Sequence, residues 1–144
     1  LIKTKQLAYV KKILLVDDDK EDQIIINDAF IEVGGEGLVH YEANGEKAMK
    51  YLERSFAEGN LPSLVILDLN MPRMNGTQTL RAIKSDSRFR NLLVMIYSTS
   101  LNPIEKEECM LLGAEDYVIK PIAYDESLQI ARYFKECCEK MAAL

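Results

Sequence analysis

The sequence predicts an α/β domain, a doubly wound parallel sheet of five strands with helices on both faces. Three observations predict it. Short apolar runs alternate five times with segments whose apolar residues fall at helical spacing. The central run, Ser63 to Leu67, is apolar without alternation, as in a strand covered on both faces. Four of the five runs end in polar or charged residues: Asp17 and Asp18, Asp68, Ser98 and Lys120. In a parallel sheet those ends share one edge, where open α/β sheets bind ligands.

Each element has its own signal. Lys12 to Val16 is the first strand and runs into Asp17-Asp18-Asp19. Glu21 to Val33 is a helix with Ile26, Ala29, Phe30 and Val33 on one face, stopped by Gly34-Gly35. Leu38 to Tyr41 is the second strand, and His40, the only histidine, is a strand residue there rather than a ligand. Asn44 caps the next helix, whose inward positions are Ala48, Leu52 and Phe56. Gly59-Asn60-Leu61-Pro62 turns the chain into the central strand. Pro72 and Asn75-Gly76 set the turn after it. The third helix turns Leu80 and Ile83 inward and runs out in the polar stretch Lys84 to Asn91. Leu92 to Tyr97 is the fourth strand, followed by Ser98-Thr99-Ser100. Asn102-Pro103 is a cap with a first-turn proline, opening a helix that carries Ile104, Leu111 and Leu112 and stops at Gly113. Tyr117 to Ile119 is the fifth strand, before Lys120-Pro121. Asp125 caps the last helix, with Leu128, Ala131, Phe134, Cys138 and Met141 on its core stripe. Leu1 to Val10 is a lead-in of mixed character.

Composition narrows the function classes. A chain of 144 residues, 48% hydrophobic and 28% charged, is expected to form one globular domain. A net charge of −5 without a Lys/Arg run argues against a nucleic-acid surface. The longest strongly apolar run, Leu92 to Tyr97, is too short to span a bilayer, and no signal-peptide pattern is present. Cys109, Cys137 and Cys138 form neither a disulfide framework nor a zinc spacing, and read as thiols of a reducing cytoplasm.

The rim residues suggest chemistry. Three carboxylates brought together repel, and at neutral pH they call for a cation. With hard oxygen donors and no Cys or His at the site, Mg²⁺ or Mn²⁺ is favoured over zinc or copper. Mg²⁺ keeps several waters and shares its shell with phosphate oxygens. Carboxylates are also nucleophiles toward phosphorus. Asp68, central and followed by a tight turn, is the best nucleophile. Asp17 and Asp18 are then metal ligands, with the Asn70 main-chain carbonyl a further candidate. Ser98 offers a hydroxyl and Lys120 a cation to phosphoryl oxygens. Taken singly, the acid triplet is an ordinary helix N-terminal cluster and Ser98 and Lys120 are solvated strand ends. Their joint placement on one rim is the functional signal.

With these residues in view, the chain resembles the receiver domain of bacterial response regulators (CheY-like). Asp17-Asp18, Asp68 with Met71-Pro72 and Asn75-Gly76, Ser98, Tyr117 and Lys120-Pro121 carry the resemblance, which spans Lys12 to about Met141. It implies a flavodoxin-like strand order 2-1-3-4-5. It implies a two-component phosphorelay function, with Asp68 as phosphoacceptor forming an aspartyl phosphate. Asp17, Asp18, Asp68 and the Asn70 carbonyl would bind Mg²⁺. Ser98 and Tyr117 would be the switch pair, and the Lys120-Pro121 bond would be cis. Asn70 and Ser100 sit where relatives tune dephosphorylation. The expected partners are a sensor histidine kinase or phosphotransfer protein, and then a protein target or a second copy of the chain; nucleic acid and membrane are not expected. The segment Ser55 to Ser63 reads as long, and the last helix runs to the C-terminus without an output domain. Both features are similar to the single-domain regulators of bacterial phytochrome-type kinases. The reading is of a signalling domain, not an enzyme. Two alternatives compete: a Mg²⁺-dependent phosphohydrolase of the haloacid-dehalogenase type, and a phosphorylation-independent interaction module. The first usually has an acid two positions after its nucleophile, where this chain has Asn70. The nucleotide-binding form of the second wants a Gly-rich loop after the first strand, which is missing.

Overall fold

A computed structural model describes residues 11–143. The lead-in assigned to Leu1 to Val10 lies outside the described residues. Five strands alternate with five helices: β1 (Ile13–Val16), α1 (Lys20–Glu32), β2 (Val39–Glu42), α2 (Gly45–Ala57), β3 (Leu64–Leu67), α3 (Gly76–Ser85), β4 (Leu93–Ser98), α4 (Pro103–Leu111), β5 (Asp116–Ile119) and α5 (Tyr124–Ala142). The sheet is parallel in the order β2-β1-β3-β4-β5, as the resemblance implied.

β1 and β3 are buried at every position because helices cover both faces. Their side chains alternate between two cores, as the period of two requires. Leu14, Val16, Val65, Leu67, Val94 and Ile96 meet Ala48 and Leu52 of α2 and Leu80 and Ile83 of α3. Ile13, Leu15, Leu64, Ile66, Met95 and Tyr97 meet Ile26, Ala29 and Phe30 of α1 and Ala131, Phe134 and Cys138 of α5. Phe134 is the aromatic hub of the second core, near-parallel to Phe30 and edge-on to Tyr97 at centroid distances of 6.4 and 5.6 Å.

The helix starts follow their caps. Asn44 accepts from Lys47 N, and Asn102 from the amides of Ile104 and Glu105. Asn75 and Gln78 form a reciprocal capping box at α3. α1 opens on Asp19, which accepts from Glu21 N and Asp22 N, so the third acid of the triplet is a cap.

Several expectations need correction. Asp125 does not cap α5; Ala123 holds the cap position without a side-chain bond, and Asp125 lies inside the first turn, where the helix dipole favours an acid. Phe56 is largely exposed and meets Phe89 edge-on. Phe89, inside the stretch that reads as polar, is fully buried. Its backbone turns back on Asp86 O, which places one aromatic under an otherwise solvated loop. Ile104 and Leu111 are 78% and 82% exposed, and α4 reaches the core through Cys109. The Lys120-Pro121 bond is trans, as are all peptide bonds among the described residues. A tertiary amide prefers trans by about 0.5–1 kcal/mol, and Lys120 reaches the rim without the cis form. The long-looking segment Ser55 to Ser63 is partly helix, because α2 extends to Ala57.

Two measurements test this packing. Phe134→Ala is expected to destabilise the fold by about 4 kcal/mol in urea unfolding, through lost contact and a residual cavity. Burial raises the Cys138 thiol from 9.0 to about 11. Its contribution to stability is therefore full below pH 9 and declines as pH rises from 9 toward 11. Urea midpoints across that range should fall, and iodoacetamide should label Cys138 only after unfolding.

Candidate functional site

The crossover from β2 to β3 passes over β1, so β1 and β3 become neighbours with their carboxyl ends level. Val16 pairs with Leu67, and Asp68 N donates to Val16 O at 2.9 Å. The acids that follow those residues, Asp17 and Asp68, are thereby set side by side. Both are almost fully enclosed, at 1% and 5% exposure. Asp18, the next residue, faces solvent. One carboxylate oxygen from each of Asp17, Asp18 and Asp68 can be chosen so that all three lie within 4.8 Å of one another.

Lys120 enters from the end of β5. Its amide donates to Ser98 O at 2.7 Å, which locks the β5 exit to β4. Its ammonium lies 2.7 Å from Asp17 Oδ2, 2.9 Å from Asp22 Oδ2 and 3.5 Å from Asp68 Oδ2. The Tyr97 ring lies 5.6 Å from the same ammonium. An open cavity of about 320 Å³ is lined by Asp18, Asp19, Asp22, Asp68, Asn70, Thr99 and Lys120.

Burial raises Asp68 to about 6, against the lowering by the Lys120 charge; Asp17 nearby raises it further. Burial likewise raises Asp17, opposed by Lys120. Burial works against the Lys120 charge too, but the carboxylates of Asp17, Asp22 and Asp68 outweigh it and hold the amine above its ordinary value. One ammonium thus serves several acids. Asp17 Oδ2 is buried and accepts no aligned hydrogen bond, though Lys120 is close. The donor set is hard oxygen, its charge exceeds what Lys120 neutralises, and one buried oxygen lacks a directional partner. These residues fit a divalent cation of the magnesium type.

The loop after β3 is tightly held. Gly76 N donates to Leu69 O, and a Cβ at Gly76 would stand 2.2 Å from Asp68 O. Gly45, at the start of α2, donates to Met74 O, and a Cβ there would stand 2.1 Å from Thr79 Oγ1. Arg73, at φ 65°, is the one described non-glycine residue in the left-handed region. Strain of this kind persists where the surroundings over-determine the backbone.

The residues singled out in the sequence gather as follows. Asp18, Asp68, Asn70 and Lys120 line the cavity, and Asp17 lies beneath it on Lys120. Ser98 is buried beside them, and Thr99, the next residue, is the one that lines the cavity. Tyr117 is buried and donates to Ser100 O at 2.9 Å, a bond that ties β5 to the segment after β4. Asp22 was missed. Its signal in the sequence is a third-position acid behind the Asp19 cap, which reads as ordinary helix-dipole chemistry.

Residues 13–132 match the family model described as the response regulator receiver domain. The phosphorylated cyanobacterial phytochrome response regulator RcpA superposes with a TM-score of 0.78 at 32% identity, over 88% of this chain and 91% of that one. The Mn(2+)-bound form of response regulator Rcp1 superposes with a TM-score of 0.76 at 24% identity, over 87% and 91%, a likeness of fold. The probable methanogenesis regulatory protein FilR2 of Methanothrix harundinacea is 30% identical over 125 residues, 86% of this chain and 81% of that protein. The chain spans 59% and 50% of two rice two-component response regulators.

Gly76→Ala tests the loop geometry. The clash is with backbone that cannot step aside, so a loss of about 2 kcal/mol or more is expected in thermal unfolding. Mn²⁺ affinity of the folded variant should fall with it.

Proposed function

Since the chain belongs to the response regulator receiver domain family, we propose that it accepts a phosphoryl group on Asp68 and switches a protein-binding face in response. Receivers are signalling domains of two-component systems and work with histidine kinases or phosphotransfer proteins. The observation that carries the proposal is the buried Asp68 carboxylate beside Asp17 and Asp18, with the Lys120 ammonium 3.5 Å from it.

In the proposed reaction an Asp68 carboxylate oxygen attacks phosphorus, the bond to the donor breaks, and an aspartyl phosphate results. Lys120 disperses charge on the phosphoryl oxygens, and Ser98 supplies a hydroxyl to one of them. The protein's contribution is position and charge, since Asp68 needs no base at neutral pH once a cation is near. Asp17, Asp18, Asp68 and the Asn70 carbonyl would hold Mg²⁺, with Mn²⁺ able to substitute. The cation, when bound, neutralises the acids and the incoming phosphoryl oxygens. Rcp1 in its Mn(2+)-bound form and phosphorylated RcpA are in keeping with this chemistry.

Ser98 and Tyr117 are the proposed relay from the site to the surface. Tyr117 already bridges β5 to Ser100 O, so movement of the segment after Ser98 would be felt at its hydroxyl. The proposed output face is α4 with Tyr117 and α5, where Ile104 and Leu111 stand exposed. A protein target or a second copy of the chain would cover it. A cytoplasmic setting belongs to the same proposal; among the described residues no helix is long and apolar enough to cross a membrane. The phosphohydrolase reading is not favoured, because Asn70 stands where a proton-donating acid is needed.

Intact mass after incubation with Mg²⁺ and acetyl phosphate tests the acceptor. One added phosphoryl group is expected in the wild type and none in Asp68→Asn. Equal labelling of the two would remove Asp68 from the role, and labelling of neither would favour a phosphorylation-independent interaction module.

A further inference from the structure

Resting on that reading of Asp68, we propose that Asp22 is a positioning residue that orients the Lys120 ammonium and limits its hold on the Asp17 and Asp68 oxygens that a cation would use. An ammonium has three N–H donors and no acceptor. Of the three carboxylates around Lys120, Asp22 receives an aligned hydrogen bond, at 2.9 Å. Asp17 Oδ2 is nearer, at 2.7 Å, yet receives no aligned bond from it. Asp68 is farther, at 3.5 Å. Asp22 therefore supplies the aligned bond that orients the amine, while Asp17 is its nearest counter-charge.

The anchor comes from outside the strand ends. Asp17, Asp68 and Lys120 follow β1, β3 and β5, whereas Asp22 lies in the first turn of α1. Its place there is set by Asp19, whose carboxylate accepts from Asp22 N at 3.1 Å. The cap thus fixes the acid, and the acid fixes the amine. The Asp22 side chain is 31% exposed, at the mouth of the cavity, so an isosteric replacement leaves the core intact.

Without Asp22, the acids left beside Lys120 are Asp17 and Asp68. The amine then settles on the two buried carboxylates and competes with a cation for the same oxygens. Loss of Asp22 should weaken cation binding through Lys120, beyond the loss of one nearby negative charge. A plain surface charge would act whether or not Lys120 were present.

A double-mutant cycle with Mn²⁺ as the probe, followed by electron paramagnetic resonance of the free ion, separates these. The proteins are the wild type, Asp22→Asn, Lys120→Met and the double variant, each checked by thermal melting. Asp22→Asn is expected to weaken Mn²⁺ binding about five-fold, and less than about two-fold in the Lys120→Met background. Asp22→Glu, which keeps the charge, is expected to recover most of the loss. An unchanged affinity in Asp22→Asn overturns the proposal, and so does an equal loss in both backgrounds. A wild type that neither binds Mn²⁺ nor gains a phosphoryl group overturns the Asp68 reading and this proposal with it, and the wild-type titration together with its intact mass distinguishes that result from failure of the Asp22 proposal alone.

Discussion

The structure turns on a repulsion held in check: acids set side by side at the carboxyl edge of a parallel sheet, with one ammonium among them. Isolated, a buried carboxylate takes up a proton rather than remain charged away from water. Here Lys120 offsets part of that cost for Asp17 and Asp68, and in return is held protonated. The balance is incomplete, because the acids outnumber the amine. That imbalance makes the site receptive to a divalent cation and to a phosphoryl group that shares it.

Everything around the acids serves to keep them there. The β1–β3 register sets Asp17 beside Asp68, and the β4–β5 exit brings Lys120 across to meet them. The two cores clamp the strands from opposite faces, so strand ends cannot drift to relieve the repulsion. The loop after β3 is closed by Gly76 against Asp68 O and by Gly45 against Met74 O and Thr79. Two glycines are required because backbone approaches backbone or side chain closer than any Cβ permits. The left-handed Arg73 is the residue where that closure leaves visible backbone strain.

The same packing leaves one side of the molecule unfinished. α4 contributes Cys109 to the core and leaves Ile104 and Leu111 in water. A helix that commits so little to its own core leaves apolar surface in water. Tyr117, bonded to Ser100 O, shares the core cluster of Cys109.

The sequence by itself determined the layering and the chemistry of the rim. Short apolar runs without alternation, bounded by turn residues, read as strands covered on both faces, and Asp17, Asp18, Asp68 and Lys120 fell at strand ends that a parallel sheet must bring to one edge. Caps at Asn44 and Asn102 were legible because they are local, depending on a side chain and an amide two or three residues away. What tertiary structure decided was less local. Phe89 is core because a turn on Asp86 O directs it inward, edge-on to Phe56 of α2, although its neighbours are polar; Ile104 and Leu111 are surface because no element covers α4 there. The Lys120-Pro121 bond is trans, the isomer an X-Pro amide intrinsically prefers. Asp22 reads in sequence as an acid at a helix start, and only the arrival of Lys120 from 98 residues away makes it part of the site. A pattern along the chain records which face a residue prefers; which charges meet is settled by strands brought together from distant parts of the chain.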